Sequence, residues 1–153
     1  MAKEGDFSVQ LHHLDGYGFK VEFNRDGIDA LHMDAGPPLG KGEGPDASSL
    51  LAAAVGDCLS ASLLYSVARK EAPPGDMETT VTCTLGRNDR GRLRVKGMAV
   101  RIRVSGEIEQ SVRSKEHPGS FEDFSTVSAS IRQGIPVELE IVSSDGEVLF
   151  QGD

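Results

Sequence analysis

The chain has no tryptophan, two tyrosines, and aromatic residues at only 5% of its 153 positions. A core cannot be built around large rings, so it must rest on aliphatic and small side chains. Cysteine is almost as scarce, with Cys58 and Cys83 alone. Two thiols are too few for a disulfide framework, and nothing in their spacing argues for a bridge. Long apolar runs are also missing. The longest, Leu50 to Val55, is too short to span a bilayer, and Met1 to Asp6 has no apolar segment of signal-peptide type. The expected setting is therefore the cytoplasm, without a membrane partner, where a reactive or plain core thiol is the better reading of each cysteine. Positive charge is in deficit: the net charge of −8 makes a nucleic-acid backbone an unfavourable partner.

What remains is an ordinary soluble composition, 38% hydrophobic and 26% charged, over a length that suits one compact domain spanning 1–153. Residues 7–13 and 19–23 alternate apolar and polar about Asp15-Gly16-Tyr17-Gly18, which predicts an antiparallel hairpin. A turn at Asn24-Arg25-Asp26-Gly27 leads to a shorter strand near 28–33. A glycine- and proline-rich loop fills 34–45, and Asp46 is placed to cap a helix running to about Lys70. That helix is apolar around most of its circumference and rich in small residues, so it should be enclosed on most sides. In so small a protein, that enclosure calls for a second copy of the chain, hence a homodimer.

Past Ala72-Pro73-Pro74-Gly75, alternation over 77–85 and 93–104 predicts two strands, with a phase slip at Gly97 of the kind a β-bulge produces. Residues 107–116 read as polar and only weakly helical. Ser120 with Asp123 resembles a capping box that opens a second helix, closed by Gly134. Ile135, Val137, Leu139 and Ile141 form a strand, and Ser144-Asp145-Gly146 turns into a last strand over 147–150. The order is β-β-β-α-β-β-α-β-β, an α+β fold with mainly antiparallel pairing.

Two segments carry a family resemblance. Gly44-Pro45-Asp46 followed by Leu50-Leu51-Ala52-Ala53-Ala54-Val55-Gly56-Asp57-Cys58 is similar to the proline, Leu-Leu-x-Ala-Ala-x-Gly and reactive cysteine of the OsmC/Ohr superfamily. Phe121 to Val137, ending in Gly134-Ile135-Pro136-Val137, resembles the second helix of that family and the strand it leads into. The resemblance implies an OsmC-like fold with two central helices, in an intertwined homodimer whose sites lie at the subunit interface. It also implies reduction of organic hydroperoxides: a peroxidatic cysteine, here Cys58, becomes a sulfenic acid, a second cysteine condenses with it, and an external dithiol reduces the disulfide. No cofactor is implied.

The chain departs from that pattern. The second cysteine falls at Ser125, and the glutamate nine or ten residues before the reactive cysteine falls at Ser49 or Ser48. Arg25, in an Arg-Asp-Gly triplet, resembles the activating arginine of one branch, although alignment by strand puts it in a hairpin turn. A one-cysteine scheme then requires an external thiol reductant. Tyr65, Phe121 and Phe124 are the candidate lining for a hydrophobic small molecule or organic peroxide.

Each candidate has a plainer counterpart. Cys58 lies roughly 18 Å along its own helix at ~1.5 Å per residue, beyond the reach of that helix's dipole, so lowering its pKa would need a neighbouring cation. Ser125 is read most simply as a serine carried passively on a helix, and Cys83, in phase with Val81 and Leu85, as core packing. The run Gly40 to Gly44 lacks a Walker ending, and Glu43 would repel an anion, so it is read as a flexible lip over the Cys58 region. His12 and His13 point to opposite faces of a strand, and His32 and His117 complete no metal-ligand spacing. The acidic residues around Glu107, Glu109, Glu116, Glu122 and Asp123 read as a solvated face. The alternative function is a dimeric module that binds a small apolar ligand without a redox cycle.

Overall fold

A computed structural model describes residues 5–67, 75–114 and 118–152. The elements are β1 (Gln10–His13), β2 (Phe19–Glu22), β3 (Leu31–Met33), α1 (Ala47–Val67), β4 (Met77–Arg87), β5 (Leu93–Val104), α2 (Gly106–Ser114), a 3-10 helix (Pro118–Phe124), α3 (Thr126–Gln133), β6 (Leu139–Val142) and β7 (Val148–Gly152). The fold is α+β with antiparallel pairing, but it holds one more helix than expected. The chain divides into two compact units, Met1–Asp57 with Glu78–Arg103 and Cys58–Met77 with Val104–Asp153.

In the first unit β1, β2 and β3 form an antiparallel sheet in which Val21 faces Leu11 on one side and Leu31 on the other. Val21 is its buried residue, and the strands are shorter than their alternation suggested, since Phe7 and Val9 stay exposed. The hairpin turn is where Asp15 to Gly18 placed it: Gly18 N–H donates to the Asp15 carbonyl at 2.8 Å. β4 and β5 form a second, two-stranded sheet. Their turn is closed by Asn88, whose side-chain oxygen accepts Arg90 and Arg92 N–H groups at 3.0 and 2.9 Å. β5 runs from 93 to 104 with Leu93 and Val95 exposed and Met98, Val100 and Ile102 half-buried.

The glycine-rich loop is fastened rather than loose, which corrects the flexible-lip expectation. Asp34 is buried, and its Oδ2 accepts the N–H of Lys41 at 3.1 Å and of Glu43 at 3.2 Å. These donors, Glu43 first, hold the Asp34 carboxyl below the usual range against the opposing effect of burial. Asp34 N–H reaches the Pro45 carbonyl and Gly42 N–H the Ala35 carbonyl, each at 3.1 Å. Gly44 passes so close to the His32 carbonyl that a side chain there would collide with backbone.

Asp46 then caps α1 as expected, its Oδ1 accepting Ser49 N–H at 2.8 Å. The helix ends at Val67 among the described residues; its expected continuation to Lys70 and the Ala72-Pro73-Pro74 stop lie outside them. By length and composition alone α1 could cross a membrane, a test that the core helix of a soluble protein also passes. Within the chain only a stripe is buried, Val55, Gly56, Leu59, Ser62 and Leu63, at helical spacing of three and four. Leu51, Ala53, Ala54, Ala61 and Tyr65 are exposed, so this chain by itself does not enclose the helix.

In the second unit, α2 occupies the stretch read as weakly helical. Its polarity hid a sound local code: Glu107 and Glu109 in the first turn, Arg113 in the last, and an Arg113–Glu109 pair at 2.7 Å. Ile108 is its buried anchor. The capping box expected at Ser120 does not open one continuous helix. A 3-10 helix ends at Phe124, Ser125 takes extended dihedrals (φ −80°, ψ 95°), and α3 begins at Thr126. Gly134 closes α3 as expected, at φ 75° with its N–H on the Ile131 carbonyl. β6 and β7 pair antiparallel through the Ser143–Glu147 turn, with a register irregularity at Ile141 and Val142. The strand starts at Leu139, so the expected strand residues Ile135 and Val137 precede it, outside any helix or strand.

Candidate functional site

Cys58 stands in the middle of α1, half-buried and free. Its carbonyl accepts the hydroxyl of Ser62 one turn later at 2.8 Å, a back-bond that leaves the serine satisfied in a buried position. The thiol meets the start of α3. Ser125 Oγ donates to Cys58 Sγ at 3.2 Å, and Val127 N–H donates to the same sulfur at 3.5 Å. Ser128 Oγ in turn donates to Ser125 Oγ at 2.7 Å.

The order of those bonds has a chemical consequence. A serine hydroxyl carries one proton and can accept as well as donate. With Ser128 supplying a proton to the Ser125 oxygen, the proton of Ser125 is left to point at the sulfur. Ser125 is 0% exposed, so water does not compete for it. It holds the N-cap position of α3 yet makes no side-chain cap bond. The hydroxyl that would ordinarily serve its own helix is spent on the sulfur of another.

These donors favour the charged form of the thiol. The Cys58 pKa is held below its ordinary value by the Ser125 hydroxyl first and by Val127 N–H next. Partial burial opposes them, and the N–H groups of Ser128 and Thr126 add to the lowering. The first-turn N–H groups of a helix lack intrahelical acceptors and sit at its positive end, which suits a thiolate. The expectation that activation would need a cation is therefore corrected. The helix that contains Cys58 does little for it; the N-terminus of a second helix supplies the polarity.

Ser125 is likewise not a passive helix residue but the principal donor at the sulfur. Ser128 and the Val127 amide were missed. Ser128 had a signal, since it follows Ser125 by three residues on one helix face; the amide had none, because a backbone donor is blind to residue type.

Phe121 is half-buried in the 3-10 helix, whereas Phe124 is 67% and Tyr65 75% exposed. Cys83 is half-buried on β4 in the first unit. Arg25 belongs to the first unit too, exposed in a turn where its carbonyl accepts Ile28 N–H at 3.3 Å. Ser49, one of the two positions that the resemblance assigns to a glutamate, is engaged in the cap of α1. His12 is exposed and lies 3.5 Å from Glu22, while His117 lies outside the described residues.

In this α+β chain a half-buried helical cysteine faces the N-terminus of a second helix. The family profile described as OsmC-like protein matches residues 40–140, and the chain belongs to that family. Among solved structures it is similar to an OsmC-like protein of unknown function from Vibrio cholerae, at 16% identity and a TM-score of 0.63, with 82% of this chain and 92% of that one covered. It is also similar to a hypothetical protein from Aquifex aeolicus, at 15% identity and a TM-score of 0.57, with 84% and 89% covered. At these identities the likeness concerns the fold. No curated protein matches the chain.

Proposed function

We propose that the protein reduces organic hydroperoxides through Cys58, with an external thiol closing the cycle. The observation that carries this reading is the bonded row Ser128–Ser125–Cys58, backed by the Val127 N–H, which stabilises a nucleophilic thiolate at a half-buried sulfur.

The thiolate attacks the terminal oxygen of the peroxide and the O–O bond breaks. The departing alkoxide takes a proton and leaves as an alcohol. The peroxide is reduced by two electrons, and the sulfur is oxidised to a sulfenic acid. Since position 125 is a serine, no disulfide forms there. An external thiolate attacks the sulfenic sulfur, water leaves, and a mixed disulfide results. A second external thiol then releases Cys58.

Tyr65, Phe121 and Phe124 are the proposed apolar lining, and the high exposure of Tyr65 and Phe124 fits surface that a substrate or a second copy of the chain covers. The homodimer belongs to the same proposal. Its support is that a helix as apolar as α1 leaves Leu51 and Tyr65 exposed within one chain.

The test is consumption of cumene hydroperoxide with dithiothreitol as reductant. Turnover by the wild type well above a Cys58→Ser control is expected; equal rates in the two would sink the reading.

A further inference from the structure

A sulfenic acid at Cys58 has no second thiol at position 125 to trap it, and further peroxide would carry it to the irreversible sulfinic acid. The backbone nitrogen of Val127, however, lies 3.5 Å from the sulfur. It belongs to the first turn of α3, ahead of the bond from Ala129 N–H to the Ser125 carbonyl. Its N–H is therefore not committed to a helix carbonyl. The Val127 nitrogen can thus give up its proton without breaking a rung of the helix.

Building on the peroxide reading above, we propose that the Cys58 sulfenic acid condenses with the amide nitrogen of Val127 to form a cyclic sulfenyl amide, which shields the sulfur until a thiol reopens it. In this step the nitrogen attacks the sulfur, an S–N bond forms and the S–O bond breaks. The hydroxide leaves with the amide proton as water, and the sulfur keeps its oxidation level. The Ser125 hydroxyl, 3.2 Å from the sulfur, is placed to donate to the departing oxygen.

An amide nitrogen is a weak nucleophile, and here its effective concentration compensates: the two atoms are held in contact by the same hydrogen bond that serves the resting thiolate. Reopening is a thiol attack on sulfur. The S–N bond breaks, the nitrogen regains a proton, and the mixed disulfide that forms is the one already required for turnover. The amide is thus a reversible store of the oxidised site.

The test uses the full chain carrying Cys83→Ser, which removes the other route to an intramolecular link. It is treated with stoichiometric cumene hydroperoxide without thiol. The expected product is lighter than the reduced protein by two hydrogens, yields a Cys58–Val127 linked peptide on digestion, and regains the starting mass with dithiothreitol. The wild type, mapped in parallel, should show the same linked peptide rather than a Cys58–Cys83 disulfide. Peroxide consumption with a gain of one or more oxygens and no hydrogen loss overturns the amide while leaving the peroxide reading standing. No consumption, and no dimedone adduct at Cys58, removes the peroxide reading and the amide with it.

Discussion

At the scale of single residues, position 125 carries a hydroxyl, and the hydroxyl is fully used. Ser125 cannot resolve a sulfenic acid, but its hydroxyl donates to the sulfur while Ser128 donates to its oxygen. The geometry that suits a hydrogen bond at 3.2 Å also suits a covalent link after a small approach. Ser125→Cys should therefore restore two-cysteine behaviour: stoichiometric peroxide should give a disulfide between Cys58 and the introduced thiol, visible by non-reducing peptide mapping. The crosslink would close a long loop, for which chain entropy alone gives about 4 kcal/mol of stabilisation, less any strain. Failure to form it would mean that the first turn of α3 does not stand against Cys58.

At the scale of elements, the loop between β3 and α1 is ordered by one carboxylate and one close backbone approach. Gly44→Ala drives a Cβ into the His32 carbonyl, which no rotamer change relieves. It should cost about 1–3 kcal/mol by overpacking, read from the shift of a denaturant midpoint. Asp34 adds a pH dependence whose sign follows from its lowered pKa. Its stabilisation is present above the unfolded value near ~3.9 and is lost as pH falls through the lower folded value. Asp34→Asn should flatten that part of an acid-unfolding curve.

Most elements were legible because their signals are local. Asp46 capping α1, the Asp15–Gly18 hairpin, and Gly134 closing α3 each depend on neighbours within a few residues. Two local signals misled. The polar run at 107–116 hid α2, whose stability comes from end charges, an ion pair and a single buried isoleucine rather than an apolar stripe. The pair Ser120 and Asp123 suggested a helix start, but a 3-10 helix occupies 118–124 and Ser125 holds the N-cap of α3, its hydroxyl bonded to a sulfur 67 positions away in sequence. That pairing is a fact of tertiary structure, and spacing along the chain does not carry it. For the same reason Cys58 is legible in the sequence, and its activators are not.

At the scale of the whole molecule, the described residues include few buried large apolar side chains: Val21, Val55, Leu59, Leu63 and Ile108. A domain of this length ordinarily buries roughly 70% of the surface its unfolded chain exposes. The β6–β7 hairpin and the segment before it are part of the exposed apolar surface, with Val137 at 74% exposure and Ile135, Leu139, Ile141, Leu149 and Phe150 all exposed. Exposed apolar side chains in this number fit the proposed interface with a second copy. Light scattering on the purified chain should give twice the 16.3 kDa chain mass, and Phe150→Glu should shift it towards the monomer. A monomeric wild type at micromolar concentration would contradict the dimer.

What joins these scales is the lowering of the Cys58 pKa by the donors at the N-terminus of α3. Its most direct test is the pH dependence of Cys58 alkylation by iodoacetamide in a Cys83→Ser chain, with and without Ser125→Ala. The expected midpoint lies below the free-cysteine value of ~8.5 and moves upward when the Ser125 hydroxyl is removed. A midpoint at or above the free value, unchanged by Ser125→Ala, would contradict it.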